Sequence, residues 1–284
     1  MTIIPFRWNI SKRTHLGRLV RGQKARTYRG FYDDLLACCS RVLSFSEDTD
    51  LIFVGRSPES IFDHLSGLLF NTSWVHRLEL LHFSMRWTDE QFVLKEYPGA
   101  MAGLRSYLSH LKLGPKDIAL RTRPVTFIDL VLTGATFGNF ILLLRNWAKG
   151  GREDWGAIRR KIRLLGITER KKTSPKTWRW QQHAEWVHLL GSGAIRNVSI
   201  PRRLWQYLGD YQEKVTPSHP PSRWGDEQSC IPDRQQRHLQ ALRLAVRLFD
   251  FGRMRKRRAQ FSSLLVRETA MKCTRFRGLV RELR

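Results

Sequence analysis

The sequence predicts an α/β protein: a mostly parallel sheet flanked by helices, with a basic, mainly helical C-terminal extension. Three observations carry that expectation. Short apolar runs alternate with amphipathic helical stretches from residue 51 to 167, at the spacing of βαβ units. One of those runs ends in an acid and turns through small residues into a long helical pattern, Phe127-Ile-Asp-Leu-Val-Leu-Thr-Gly-Ala-Thr136. A chain of 284 residues with 42% hydrophobic residues and 10 tryptophans can bury a sizeable core.

Residues 1–30 are basic and irregular and read as an arm. Phe31, Leu35, Leu36, Cys39, Val42 and Leu43 recur at helical spacing, and Ser46 to Asp50 is a polar break. Leu51-Ile-Phe-Val-Gly55 is the first strand. A loop, Arg56 to Ser60, follows, with Ser57 or Ser60 able to cap an amphipathic helix over 61–69. Leu78 to Ser84 is a second strand candidate, and 87–98 is polar, a loop or a short helix. Met101 to Leu111 reads as a helix closed by Gly114-Pro115. Pro124 to Asp129 is the third strand, 137–149 a long helix, and Lys161 to Ile167 the fourth strand.

After residue 168 the texture changes. Residues 169–180 interleave cations with Trp178 and Trp180, 204–208 are helical in pattern, and 215–233 are rich in Pro and Ser, as in a linker or surface loop. From Arg234 onward basic helices are expected, with Leu239, Leu242, Val246 and Phe249 on one face. The expected organisation is therefore 1–50 arm and helix, 51–168 α/β core, 169–233 a basic and aromatic hood or loop region, and 234–284 a basic helical segment.

Charge is the strongest bulk signal. Lys plus Arg number 50 against 25 acids, a net +25. Such an excess repels itself, and a polyanionic partner accounts for it, nucleic acid first and an anionic membrane second. Residues 234–284 carry 15 Lys/Arg and 3 acids, so +12 of the total, with the densest cluster at Arg255, Lys256, Arg257 and Arg258. Lys171, Lys172 and Trp178 combine phosphate-holding cations with an aromatic suited to stacking on unpaired bases, unless the tryptophans pack in the core. The four cysteines form no CxxC pair, which argues against a zinc site. The N-terminus lacks a signal-peptide apolar run, and the longest apolar stretch, 137–144, is too short to span a bilayer. A cytoplasmic, soluble protein is expected.

The segment 127–136 has the chemistry of an anion site. A small-residue turn at a helix start exposes backbone N–H groups beside a partial positive charge. Thr133 and Thr136 can donate hydroxyl hydrogen bonds, Gly134 allows close approach, and Asp129 suits the vicinal hydroxyls of a ribose. The bland alternatives are a ligand-free Gly-containing turn, and an Asp129 that caps a helix.

This segment resembles the phosphoribosyl-diphosphate (PRPP) motif of the type I phosphoribosyltransferases: an apolar strand, two acids, a few apolar or small residues, then Thr-Gly-x-Thr. The resemblance spans roughly residues 50–170. It implies that Thr133, Gly134, Ala135 and Thr136 hold a 5′-phosphate and that Asp129 is the catalytic candidate, matching the second acid of the pair without a gap, or the first, with Leu130 at the second, if a gap is allowed. It places Gly55 to Ser60, with Arg56 and Ser57, at the pyrophosphate-binding loop. Two positions depart from the pattern: Ile128 stands where the first acid belongs, and Leu132 where some members carry a catalytic carboxylate. The resemblance implies binding of PRPP or a related nucleotide with Mg²⁺ and a pentosyl transfer. Proteins of this build also occur beside retron reverse transcriptases. That context implies RNA or single-stranded DNA and a reverse transcriptase as partners in antiphage defence, with or without retained catalysis.

Overall fold

The computed structural model describes residues 2–85, 89–170, 179–268, 271 and 273–284. A five-stranded sheet in the order β2-β1-β3-β4-β5 forms its centre, and every adjacent pair is parallel. The strands are β1 Asp50–Val54, β2 Leu78–Leu81, β3 Val125–Leu130, β4 Ile162–Glu169 and β5 Ile195–Ile200. The helices, in chain order, are α1 Arg13–Leu16, α2 Phe31–Ser46, α3 Glu59–Leu68, α4 Glu90–Glu96, α5 Ala100–His110, α6 Pro115–Leu120, α7 Ala135–Gly150, α8 Trp155–Lys161, α9 Arg202–Gln206, α10 Gln236–Arg253, α11 Arg255–Val266 and α12 Thr274–Glu282.

The central strands are apolar on both sides because both sides are covered, the usual pattern of a parallel sheet. Leu51 and Phe53 of β1, Ile128 of β3, and Leu165 and Ile167 of β4 face a layer made by α2, α3, α9, α10, α11 and α12. Ile52, Val54, Val125, Phe127, Ile162 and Leu164 face the other layer, made by α4 to α8. Phe127 and Asp129 share a face of β3 by strand alternation, and Ile128 points the other way. A carboxylate at 128 would lie in a fully apolar layer.

Several local readings change. Pro115 opens α6 at its first turn, where its missing N–H has no partner to lose, rather than closing α5. No serine caps α3: Pro58 occupies the N-cap position. The strand β5 was not anticipated, because Arg196, Asn197 and Ser199 break its apolar pattern; an edge strand tolerates this. The stretch 215–233 is not a surface loop throughout, since Val215, Thr216, His219 and Trp224 are buried and Trp224 stacks on Phe83. Among the described residues, no helix is long and apolar enough to cross a membrane.

The C-terminal helices are built into the sheet's first layer. α10 crosses α3 at two glycines: a Cβ on Gly67 would fall 2.1 Å from the Phe249 carbonyl oxygen, and one on Gly252 would fall 2.7 Å from the Leu68 nitrogen. His64 Nδ1 lies 3.0 Å from the Leu248 carbonyl at the same crossing. Gly67→Ala must push the two backbones apart. It is expected to cost about 2 kcal/mol or more, as overpacking does, seen as a lower denaturant midpoint with an unchanged slope. An unchanged midpoint would show that the crossing yields freely.

Candidate functional site

The strand order reverses at β1: the chain runs from β1 out to β2, then returns to place β3 on the other side. In open parallel sheets, ligands lie beyond the carboxyl ends of the strands at such a reversal. The loops leaving β1 and β3 meet there.

The β3–α7 turn is shaped from below. Gly134 is the N-cap of α7 with φ 83°, a left-handed conformation that favours glycine. A Cβ at this position would also lie 2.3 Å from the Trp180 ring. Trp180 is 1% exposed; its indole N–H donates to Asn197 Oδ1 of β5 at 2.8 Å and its ring packs near Phe137 and Trp186. The Val131 N–H donates to the Ile167 carbonyl at 2.9 Å and ties the turn to β4. Residues 129–137 enclose a cradle of about 20 Å³. One water needs about 10–15 Å³, so the cradle fits one small polar group.

Beside it opens a cleft of about 250 Å³ that shares Asp129, Leu130, Leu132 and Thr136 with the cradle. Its other walls include Gly55, Arg56, Ser57, His82, Asp210, Lys214 and His219. Gly55 has φ 72° and donates its N–H to the Leu81 carbonyl at 2.8 Å, which turns the chain sharply off β1. Asp129 is 8% exposed, one residue before the end of β3 and next to the cradle.

The segment 207–219 closes over the β1 end. Glu59, in the first turn of α3, accepts the Val215 N–H at 2.9 Å and the Thr216 hydroxyl, and Ser60 accepts a hydrogen bond from Gln212. Lys214 donates to the Leu208 carbonyl. Burial pulls its amine down to about 8; Glu59, Asp129 and Asp210 oppose that pull and Arg56 adds to it. Burial likewise lowers the Arg56 guanidinium, with Glu59 acting against and Arg237 with it. Burial, Arg7, His219 and Arg223 bring His82 to about 3, and burial and Arg223, against Asp226, bring His219 to about 4. Both imidazoles are neutral near pH 7, so the cleft's positive charge rests on Arg56 and Lys214.

Thus Asp129, Thr133, Gly134, Ala135, Thr136, Arg56 and Ser57 converge on one site. Lys214, Asp210, His82 and His219 join them from parts of the chain that carry no motif. Leu132, at the second departure, is 51% exposed on the rim. A larger hollow of about 620 Å³ lies at the opposite, amino-terminal edge of β3, β4 and β5, away from this chemistry. The basic residues are spread elsewhere. Arg255 and Lys256 are exposed on α11. Arg257 donates to Asp33 at 2.7 Å and lies over the Phe251 ring, and Arg258 donates to the Glu282 carbonyl at 2.8 Å. Lys171, Lys172 and Trp178 lie outside the described residues. Trp180 belongs to the core and offers no face for stacking on a base.

No protein-family model, curated protein or solved structure matches the chain. The site is therefore read from its own chemistry. Gly134→Ala meets both the backbone conformation and the Trp180 ring. It is expected to lower the melting temperature and to disturb the Trp180 environment, measured by thermal unfolding and tryptophan fluorescence. Wild-type values for both would show that Trp180 does not set the turn.

Proposed function

We propose that the protein binds PRPP or a related phosphorylated ribose in the cleft between the β1 and β3 loops. The observation that carries this is the cradle at Thr133 to Thr136 opening beside Asp129 into a cleft with two cationic groups, Arg56 and Lys214. The cradle would take the 5′-phosphate on backbone N–H groups and the threonine hydroxyls. Asp129 would accept hydrogen bonds from ribose hydroxyls, and Arg56 and Lys214 would face a pyrophosphate.

Among the described residues, no group of three or more His, Cys, Asp or Glu could hold a metal alone. Mg²⁺ commonly binds through one or two carboxylates plus substrate phosphates, and Asp129 and Asp210 fit that lesser role. When bound, it would neutralise pyrophosphate charge as the ribosyl C1′–oxygen bond breaks. The chain's own contribution to a pentosyl transfer would be positioning and charge stabilisation. Ile128 and Leu132 supply no carboxylate, so binding is the primary activity proposed and transfer the secondary one.

Isothermal titration with PRPP and Mg²⁺ tests this directly. Binding is expected in folded wild-type protein, and none at millimolar ligand would sink the reading. Asp129→Ala should weaken binding about tenfold or more, the worth of a charge-assisted hydrogen bond, while retaining cooperative unfolding.

The pH dependence has a definite sign. Lys214 is charged below about 8 and loses its proton above it, whereas His82 and His219, at about 3 and about 4, do not titrate near neutrality. Affinity should therefore fall as pH rises through about 8, and Lys214→Met should flatten that profile. A profile of unchanged steepness in the variant would assign the titration to another group.

A further inference from the structure

The cleft uses few of the chain's cations. Residues 11–30 carry seven Lys/Arg and no acid. This arm runs antiparallel to α10. The Arg13 guanidinium donates to the Val246 carbonyl at 3.3 Å, Arg243 donates to the carbonyls of Leu19 at 3.0 Å and Gln23 at 2.9 Å, and the Ala25 N–H donates to the Gln240 carbonyl at 3.0 Å. These contacts span Gln240 to Val246 of α10, ~10 Å at about 1.5 Å per residue. They leave Arg18, Arg21, Lys24 and Arg26 exposed. Asp250, at the far end, is paired with Arg13.

One hydrogen bond links the arm to the turn that carries part of the cleft wall. The Tyr207 hydroxyl donates to the Arg26 carbonyl at 2.7 Å. Tyr207 begins the turn Tyr207–Tyr211, whose Gly209 and Asp210 line the cleft. Tyr211, at the end of that turn, is 72% exposed. At the same end of α10, His238 Nδ1 lies 2.7 Å from the Lys214 carbonyl.

We propose that the arm and α10 form a track for single-stranded nucleic acid that leads one end of the strand to the cleft. Evenly spread cations without acids suit a phosphate backbone. The exposed Tyr211 ring, on the turn that the arm contacts through Tyr207, suits an unpaired base, which a duplex would not present. A membrane surface fits less well, because an amphipathic membrane anchor presents apolar side chains outward beside its cations. Here Leu16, Leu19 and Val20 turn inward and pack with α10. Delivery of a terminal phosphate to the cradle rests on the ligand reading above; the track does not.

Fluorescence anisotropy with the full chain and labelled 15-nucleotide oligo(dT) and oligo(rU) tests the track. The combined Arg18→Glu, Arg21→Glu and Lys24→Glu variant should bind at least tenfold more weakly. Its salt slope should be shallower by about 2, at roughly 0.7 per phosphate for single strands. Tyr211→Ala should lose about fivefold or more with an unchanged slope. Arg255→Glu with Lys256→Glu, on α11, should change affinity less than about threefold. Equal loss from the two charge reversals, equal affinity for a blunt duplex, or binding to phosphatidylserine vesicles with none to the oligonucleotides would overturn the track. A terminal phosphate should strengthen binding severalfold in wild type but not in the Thr133→Val, Thr136→Val variant, and indifference to it in wild type would overturn delivery. PRPP titration of the arm variant keeps the two ideas apart. Retained PRPP binding shows an intact fold and site, whereas oligonucleotide binding by a wild-type chain that ignores PRPP would remove the ligand reading alone.

Discussion

The Trp180 indole, wedged beneath Gly134, is the constraint on which the site depends. It bonds Asn197 of β5, and it also sits where a side chain on Gly166 of β4 would be, with its Nε1 2.7 Å from the Cβ such a residue would carry. One ring therefore couples the middle of β4 and of β5 to the turn after β3. Glycine is required at 134 twice over, by backbone conformation and by the ring. The cradle's shape follows from core packing.

The second wall is made differently. The loop after β1 is fixed by a buried carboxylate: Glu59 takes two hydrogen bonds from Val215 and Thr216. Those bonds hold the segment that brings Lys214 and Asp210 to the cleft. Glu59 thus joins the start of α3 to a part of the chain more than 150 residues away. The same segment continues into α10, whose glycine-to-backbone crossing with α3 anchors the C-terminal helices. Core, cleft wall and basic face are consequently one connected structure.

The chain's positive charge divides into two populations. Some arginines hold the fold, as Arg7 does with the buried Asp63, Arg77 with Asp48, and Arg257 with Asp33. Asp63 is pushed up to about 6 by burial despite its partner, so this pair holds the N-terminal segment at an electrostatic cost. Others, along the arm and on α11, face solvent. Density of charge in the sequence does not separate the two groups: the run 255–258 contains both kinds.

The α/β class, four of the strands and the β3–α7 turn were legible because local periodicity and turn chemistry report on them directly. Asp129 and Thr133 to Thr136 are contiguous, so their convergence needs no long-range contact. The edge strand β5 was hidden because one exposed flank relieves its residues of the apolar pattern. Lys214, Asp210, His82 and His219 were invisible for another reason: their placement depends on Glu59 and on the strand reversal, and such distant pairings leave no periodic trace. Trp180 shows the division most clearly. By sequence it was equally a core residue or a stacking platform, and burial against Gly134 and Asn197 decided it. The sequence by itself determined the small-residue turn that opens α7 and the excess of charge. The tertiary structure alone decided which cations remain free and what stands opposite the turn, because burial and long-range pairing are properties of the packed chain.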